Sequence, residues 1–350
     1  KSFQSLCLFY TTLTFGSVFL TKFNFMDLFK AYQQEFQSAL ENFNKDQSPI
    51  TLYRPIQYLL ELGGKRIRPF LTLMAGEVFG VAVKDALGAA ISVEVFHNFT
   101  LMHDDIMDSA SLRRGKTTVH EKWDVNTAIL SGDAMLIKAY QALESYPNDV
   151  FQKLTFLLSK TALEVCEGQQ YDMDFETSSS VSQEEYIEMI RLKTAVLVGC
   201  ALQMGVIIAK ASEEDQKAIY DFGIQLGLAF QLQDDYLDTF GDQVTFGKKI
   251  GGDILEDKKT ILYHLALKGA GKEQANELQS LLGGNNILKE EEKIDRVRTL
   301  FIATSAKSAT RNLIQYHSQL ADVELEKLSI NKDQKSRFRD LKNWLINRTY

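Results

Sequence analysis

No proline follows Pro147, and all four prolines (Pro49, Pro55, Pro69 and Pro147) stand in the first half of a 350-residue chain. Proline removes a backbone donor and clashes inside a helix, so a proline-free stretch this long is what a mostly helical chain needs. The apolar residues of Val150 to Gln170, Glu184 to Ala211 and Glu213 to Phe240 recur at three- and four-residue steps, the period of one helix face. Ser182 followed by Glu185 has the spacing of a capping box that opens the middle stretch. Alternating β-branched runs with hairpin turns are scarce. The expected fold is all-α, a bundle of ten or more helices.

Loops are marked by Gly63-Gly64, Arg113 to Thr117, Thr177 to Ser182, Gly241 to Gly252 and Gly283-Gly284. None is long enough to link independent units, and no fixed-period repeat is visible. Residues 26–350 therefore read as a single domain. Residues 1–25 stand apart. Leu6 to Leu20 is apolar and aromatic, yet it lacks the basic flank and small-residue cleavage site of a signal peptide and is too short to span a bilayer. It reads as a leader or upstream segment, with an amphipathic stretch from Met26 to Phe43 after it. Membrane association is not expected.

Net charge is −7, which argues against wrapping nucleic acid, since that calls for a basic face. Cys7, Cys166 and Cys200 are odd in number and form no C-x-x-C pair. They suit free thiols in a reducing cytoplasm better than a disulfide framework or a zinc site.

The chemistry concentrates in two acidic clusters, Asp104-Asp105-Ile106-Met107-Asp108 and Asp234-Asp235-Tyr236-Leu237-Asp238. In each, the first and last carboxylates are four residues apart and share a helix face. They repel unless a cation lies between them, and an oxygen-only set suits Mg²⁺ with phosphate. One such cluster alone could be a solvated helix end. Two, each closing an apolar helix, suggest an apolar cavity with metal at its mouth, because buried charge is costly unless paired. Cations accompany them: Lys65, Arg66 and Arg68 after a glycine pair, Arg113-Arg114-Gly115-Lys116, Lys193 inside an apolar helix, and Lys248, Lys249, Lys258 and Lys259 after the second cluster. Arginine forks and lysine point charges are the usual partners of diphosphate. Gly247 to Gly252 lacks the spacing and the preceding strand of a nucleotide-binding loop.

In order and spacing these motifs resemble the trans-isoprenyl diphosphate synthases, the polyprenyl synthetase family. The resemblance rests on Gly63 to Pro69, His103 to Asp108, Leu112 to Gly115, Gly132-Asp133, Lys193-Thr194, Phe230 to Asp238 and Gly251 to Thr260. It implies helices around a central cavity, a homodimer, and Mg²⁺, three ions, held by Asp104, Asp108, Asp234 and Asp238. It implies isopentenyl diphosphate held by Lys65, Arg68, His97 and Arg114. An allylic prenyl diphosphate would be contacted by Arg113, Lys193, Thr194, Gln231, Lys248 and Lys258. The catalytic set would be Asp104, Asp108, Lys193 and Asp234. Asp257 departs from the family pattern, where Asn is common.

The same resemblance implies that bulky residues before the first cluster form the cavity floor. Phe99 is five residues before Asp104, about 7.5 Å along a helix, with Thr100 above it and Phe96 below. A large Phe99 beside a small Thr100 points to a short product, farnesyl (C15) or geranylgeranyl (C20) diphosphate. Two other readings compete. A terpene cyclase would not need the cations at Lys65 and Arg68. A non-catalytic synthase partner subunit would be expected to lose one acidic cluster, and both are complete.

Overall fold

The computed structural model describes residues 25–45, 47–178, 181–241, 250–284 and 288–347. The long helices are α1 (Phe25–Phe43), α2 (Ile50–Glu61), α3 (Ile67–Val78), α4 (Val83–Met107), α6 (Val125–Gln141), α7 (Asn148–Thr177) and α8 (Gln183–Ile190). A π-helical turn, Arg191–Ala195, runs from α8 into α9 (Val196–Ile208), and α10 (Glu213–Phe240) follows. Then come α11 (Gly252–Leu255), α12 (Ile261–Gly269), α13 (Lys272–Leu281), α14 (Glu290–Ala303), α15 (Ala306–Glu326) and α16 (Lys332–Ile346). The all-α expectation holds. Most of residues 1–25, the expected leader, lie outside the described residues.

The one departure among the described residues is a small hairpin, β1 (Leu112–Arg113) and β2 (Lys116–Thr117), before the short α5 (Val119–Lys122). Leu112 pairs with Thr117 and Arg113 with Lys116. Arg114 and Gly115 between them both have positive φ, as a two-residue type I′ turn requires. What reads as a loop in the sequence is thus a stiff strut carrying two arginines.

Local chemistry explains several helix ends. The Ser182 hydroxyl accepts from Glu185 N at 3.1 Å, and the Glu185 carboxylate accepts from Ser182 N at 2.8 Å, closing the expected capping box. Pro55 lies inside α2. It leaves only the carbonyl of exposed Thr51 without its helix donor, a position water can serve.

The main core joins α1 through α10 with α15 and α16. A smaller apolar cluster formed by α11 to α14 abuts it through Phe240 and Leu265. The stretch Gln183–Ile208 is apolar and long enough to cross a membrane, but 78% of its most apolar window is buried inside the protein. It is the central core helix. It meets α10 at Gly199 and Gly223, so close that a Cβ on Gly223 would lie 2.5 Å from the Gly199 Cα.

Candidate active site

Three helices bring the acidic clusters and their cations together. α4 delivers Asp104 and ends at Asp108, while α10 delivers Asp234 and Asp238. The π turn between α8 and α9 delivers Lys193 and Thr194. A π turn holds one residue more than an α turn and commonly marks a functional site. α7 makes room for this one with Gly168, where a Cβ would stand 2.3 Å from Lys193 N.

At the first cluster, Lys193 Nζ lies 2.5 Å from Asp172 Oδ2 and 3.5 Å from Asp104 Oδ1. Burial works to lower the Lys193 pKa, but Asp104 and Asp172 reverse the effect and hold the ammonium above its usual value. Burial, then the charge of Asp104, pushes Asp108 up to about 6. Asp105 turns the other way, is 2% exposed, and is gripped by Arg113 Nε at 2.9 and 2.8 Å from its two oxygens. Arg113 also reaches Asp104 Oδ2, at 3.7 Å. The arginine expected on the allylic diphosphate is therefore anchored by a buried carboxylate beside it.

At the second cluster, the buried Asp235 accepts from Tyr186 Oη at 2.5 Å and Gln231 Nε2 at 3.0 Å. Burial raises it to about 7 against those two hydrogen bonds. Thr194 Oγ1 donates to Gln231 Oε1 at 3.2 Å, so Thr194, Gln231, Asp235 and Tyr186 form one chain between the helices. Asp238 Oδ2 accepts from Asp253 N at 3.0 Å. Burial and the Asp238 charge raise the Asp253 pKa.

The basic group splits in two. Arg66 turns inward to the buried Glu94 and to the Leu60 carbonyl. Arg68 faces the site, with Nη1 3.2 Å from His97 Nε2 and Nε buried without a hydrogen bond. Burial, then Arg68 and Arg114, holds the His97 pKa well below its usual value. The ring is neutral, and because guanidinium can only donate, its Nε2 accepts and its Nδ1 carries the proton. Arg114 donates to the Gly63 carbonyl. Lys65 is exposed at the rim of the same basin.

Three hollows meet at Asp104 and Asp108. A basin of about 780 Å³ is lined by Lys65, Arg68, His97, Arg114, Gln231 and Asp234. A wider mouth of about 990 Å³ lies between Asp104, Asp108, Asp172, Lys193 and Lys258. Below Asp104 runs a mostly apolar cavity of about 370 Å³, with Phe99, Thr100, Val165, Met173 and Leu197 in its wall. Phe96 is fully buried behind the lining, its ring 5.6 Å from that of Phe99. Lys258 Nζ is paired with Glu256 at 2.7 Å. Lys248 lies outside the described residues.

The residues fit magnesium. Asp104 Oδ1 is buried and has no hydrogen bond, and a divalent ion would offset both the burial of Asp108 and its repulsion from Asp104. No three His, Cys, Asp or Glu side chains among the described residues converge as a closed metal site. Mg²⁺ does not ask for one, since it takes one or two carboxylates and fills its shell with water and phosphate. Asp105, Asp172, Tyr186 and Asp253 are site residues to which sequence reasoning gave no part. Asp172 gave no signal of its own in the sequence, being one of several carboxylates on α7 with Glu164, Glu167, Asp174 and Glu176.

Known proteins match this arrangement. The family model for polyprenyl synthetase covers residues 49–301. The geranylgeranyl diphosphate synthase of Methanosarcina mazei is 36% identical over 93% of this chain and 98% of its own. The short chain isoprenyl diphosphate synthase of Methanothermobacter thermautotrophicus is 35% identical over 87% and 92%. A crystal structure of a geranylgeranyl pyrophosphate synthase superposes with a TM-score of 0.87 at 52% identity, covering 91% of this chain and 98% of that one. With the motifs, the fold and the converging hollows in agreement, the chain belongs to the polyprenyl synthetase family of prenyltransferases.

Proposed function

We propose that this short-chain synthase condenses isopentenyl diphosphate with an allylic diphosphate head to tail and releases geranylgeranyl diphosphate, C20. The observation that carries the reading is the junction of a cationic basin, an acidic mouth and an apolar cavity at Asp104 and Asp108. The 52% identical geranylgeranyl pyrophosphate synthase supports the product length.

Lys65, Arg68, His97 and Arg114 hold the diphosphate of isopentenyl diphosphate in the basin. Lys193 and Lys258 receive the allylic diphosphate from the mouth, Arg113 and Gln231 from the basin side and Thr194 from the apolar cavity, with Lys248 as a further ligand. Asp104, Asp108, Asp234 and Asp238 would hold three magnesium ions, which would supply Lewis-acid stabilisation of the leaving diphosphate. Lys193 adds a fixed positive charge where negative charge grows, a term worth most in a site that excludes water. The allylic C–O bond breaks, and the apolar wall below Asp104 keeps water from the cation. The isopentenyl double bond attacks that cation, a C–C bond forms, and a proton leaves to the released diphosphate.

Incubation with isopentenyl diphosphate, each allylic diphosphate in turn and Mg²⁺ tests this reading. A C20 product is expected, and no elongated product with any primer would sink it. Phe99→Ala opens the floor and is expected to shift products beyond C20, read by chromatography of the dephosphorylated alcohols. An unchanged distribution would show that Phe99 is not the floor. The cationic basin favours this reaction over terpene cyclisation, and two complete acidic clusters favour it over a non-catalytic subunit.

Exposed apolar side chains on α6 and α7 support the homodimer expected from the family resemblance. Val125, Ile129 and Ile137 on α6, and Phe156 (71% exposed) and Leu163 (62%) on α7, are apolar and solvent-facing. Phe156 and Leu163 are two turns apart on one stripe, the pattern of a helix face that packs on a partner. Phe156→Glu with Leu163→Glu is expected to halve the mass measured by sedimentation equilibrium. An unchanged mass would rule this face out. Cys166 and Cys200 are free thiols, which supports a reducing cytoplasmic location.

A further inference from the structure

The loop Gly251 to Thr260 carries Asp253 to the basin and Lys258 to the mouth, and α14 holds it from behind. Gly251 packs so closely that a Cβ there would lie 2.8 Å from Ile294. The neighbouring Lys293, whose side chain is only 9% exposed, places Nζ 2.7 Å from Asp257 Oδ1. Asp257 has φ of 57°, a left-handed conformation that Asp and Asn tolerate better than most residues. It directly precedes Lys258. On the far side of the loop, Lys259 Nζ donates to the Ser178 carbonyl at 2.8 Å, at the end of α7.

Asp257 poses a difficulty. Lys258 already bears the Glu256 carboxylate at 2.7 Å, with Glu256 63% exposed. That solvent-screened pair is weak and can yield to a diphosphate. A second free carboxylate next to Lys258 would compete with substrate for the same ammonium. Asn at this position would set no such problem; Asp does, and the chain supplies a buried lysine to answer it.

We infer that Lys293 is a positioning residue for the prenyl transfer: by binding Asp257 it removes a competing carboxylate and leaves Lys258 to the allylic diphosphate. The inference rests on reading Lys258 as a ligand of that diphosphate. Lys293 touches no substrate-lining hollow itself, so its effect must pass through the loop.

Steady-state kinetics on the full chain with Mg²⁺ test it. Lys293→Met is expected to lower kcat/KM for the allylic diphosphate about 10–100-fold, the cost of a small misplacement at a reacting group, while KM for isopentenyl diphosphate stays unmoved. Adding Asp257→Asn to Lys293→Met should recover most of the loss, because the unpaired carboxylate is gone and Asn keeps the left-handed turn. A general loss of structure would lower both substrates' constants together and would not be rescued. Equal losses for both substrates, or no recovery in the double variant, would overturn the positioning role. Lys258→Ala separates the two claims: if it leaves the allylic constants unmoved, the reading of Lys258 fails, and the inference with it, whatever Lys293 does.

Discussion

Asp104→Ala is expected to lower turnover by about 10²–10³-fold or more, the scale on which loss of one preorganised electrostatic group acts, with the helical circular dichroism spectrum unchanged. Asp104 sits at the last turn of α4, its Oδ1 has no hydrogen bond, and Lys193 keeps Asp172 as a partner at 2.5 Å when it is gone. Little in the fold depends on it. What depends on it is the pairing with Asp108, whose pKa is raised by burial first and by the Asp104 charge second. Asp234→Ala should act on the same scale from the opposite helix. Single-turnover assays at saturating Mg²⁺ check both, and near-normal turnover of either variant would remove that residue from the metal set.

Arg66→Met is expected to act on stability instead, by about 3–5 kcal/mol, because it strands one member of a buried ion pair. Glu94 is 3% exposed, and its partners are the Arg66 guanidinium and the Asn98 amide, 3.0 Å from Oε1. A loss of that size is a large share of the net stability of a folded protein. Urea unfolding reads it, and the double variant Arg66→Met, Glu94→Gln should regain a good part of the loss. The neighbouring Lys65→Met should leave the urea midpoint in place and raise KM for isopentenyl diphosphate. An Arg66→Met midpoint equal to the wild type would mean that the pair is not what holds Glu94 in the core.

These contrasts show where sequence reasoning reached and where it stopped. Gly63 to Pro69 offers three cations within four residues, and nothing in the string says that Arg66 points inward while Lys65 and Arg68 do not. The direction is set by φ of 50° at Arg66, where α3 begins, and by a glutamate on α4 that lies 28 residues away. Helix period separated Asp104 and Asp108 from Asp105 correctly, since four residues return to one face. It could not show that the hairpin would fold Arg113 back onto Asp105. Asp172 is legible only once α7 and the π turn are side by side. The capping box at Ser182 was readable because both of its partners are local. Phe99 and Phe96 looked like successive parts of one floor, but they sit at different depths, and only Phe99 meets the cavity.

The π turn at Arg191–Ala195 bears on how this gene can change. One residue more in a helix advances everything beyond it by about 100°. Before the turn, α8 is fixed by Tyr186 on Asp235; after it, α9 is fixed by Gly199 against Gly223. Loss of a single codon between Arg191 and Ala195 would straighten the turn. Lys193 and Thr194 would then swing off Asp104 and Gln231, or the glycine contact would open. Substitutions along this stretch alter one side chain at a time, whereas an in-frame deletion alters the phase of a whole helix. We expect the stretch to admit substitution at Arg191, which pairs with Glu188 away from the site, and to admit no deletion.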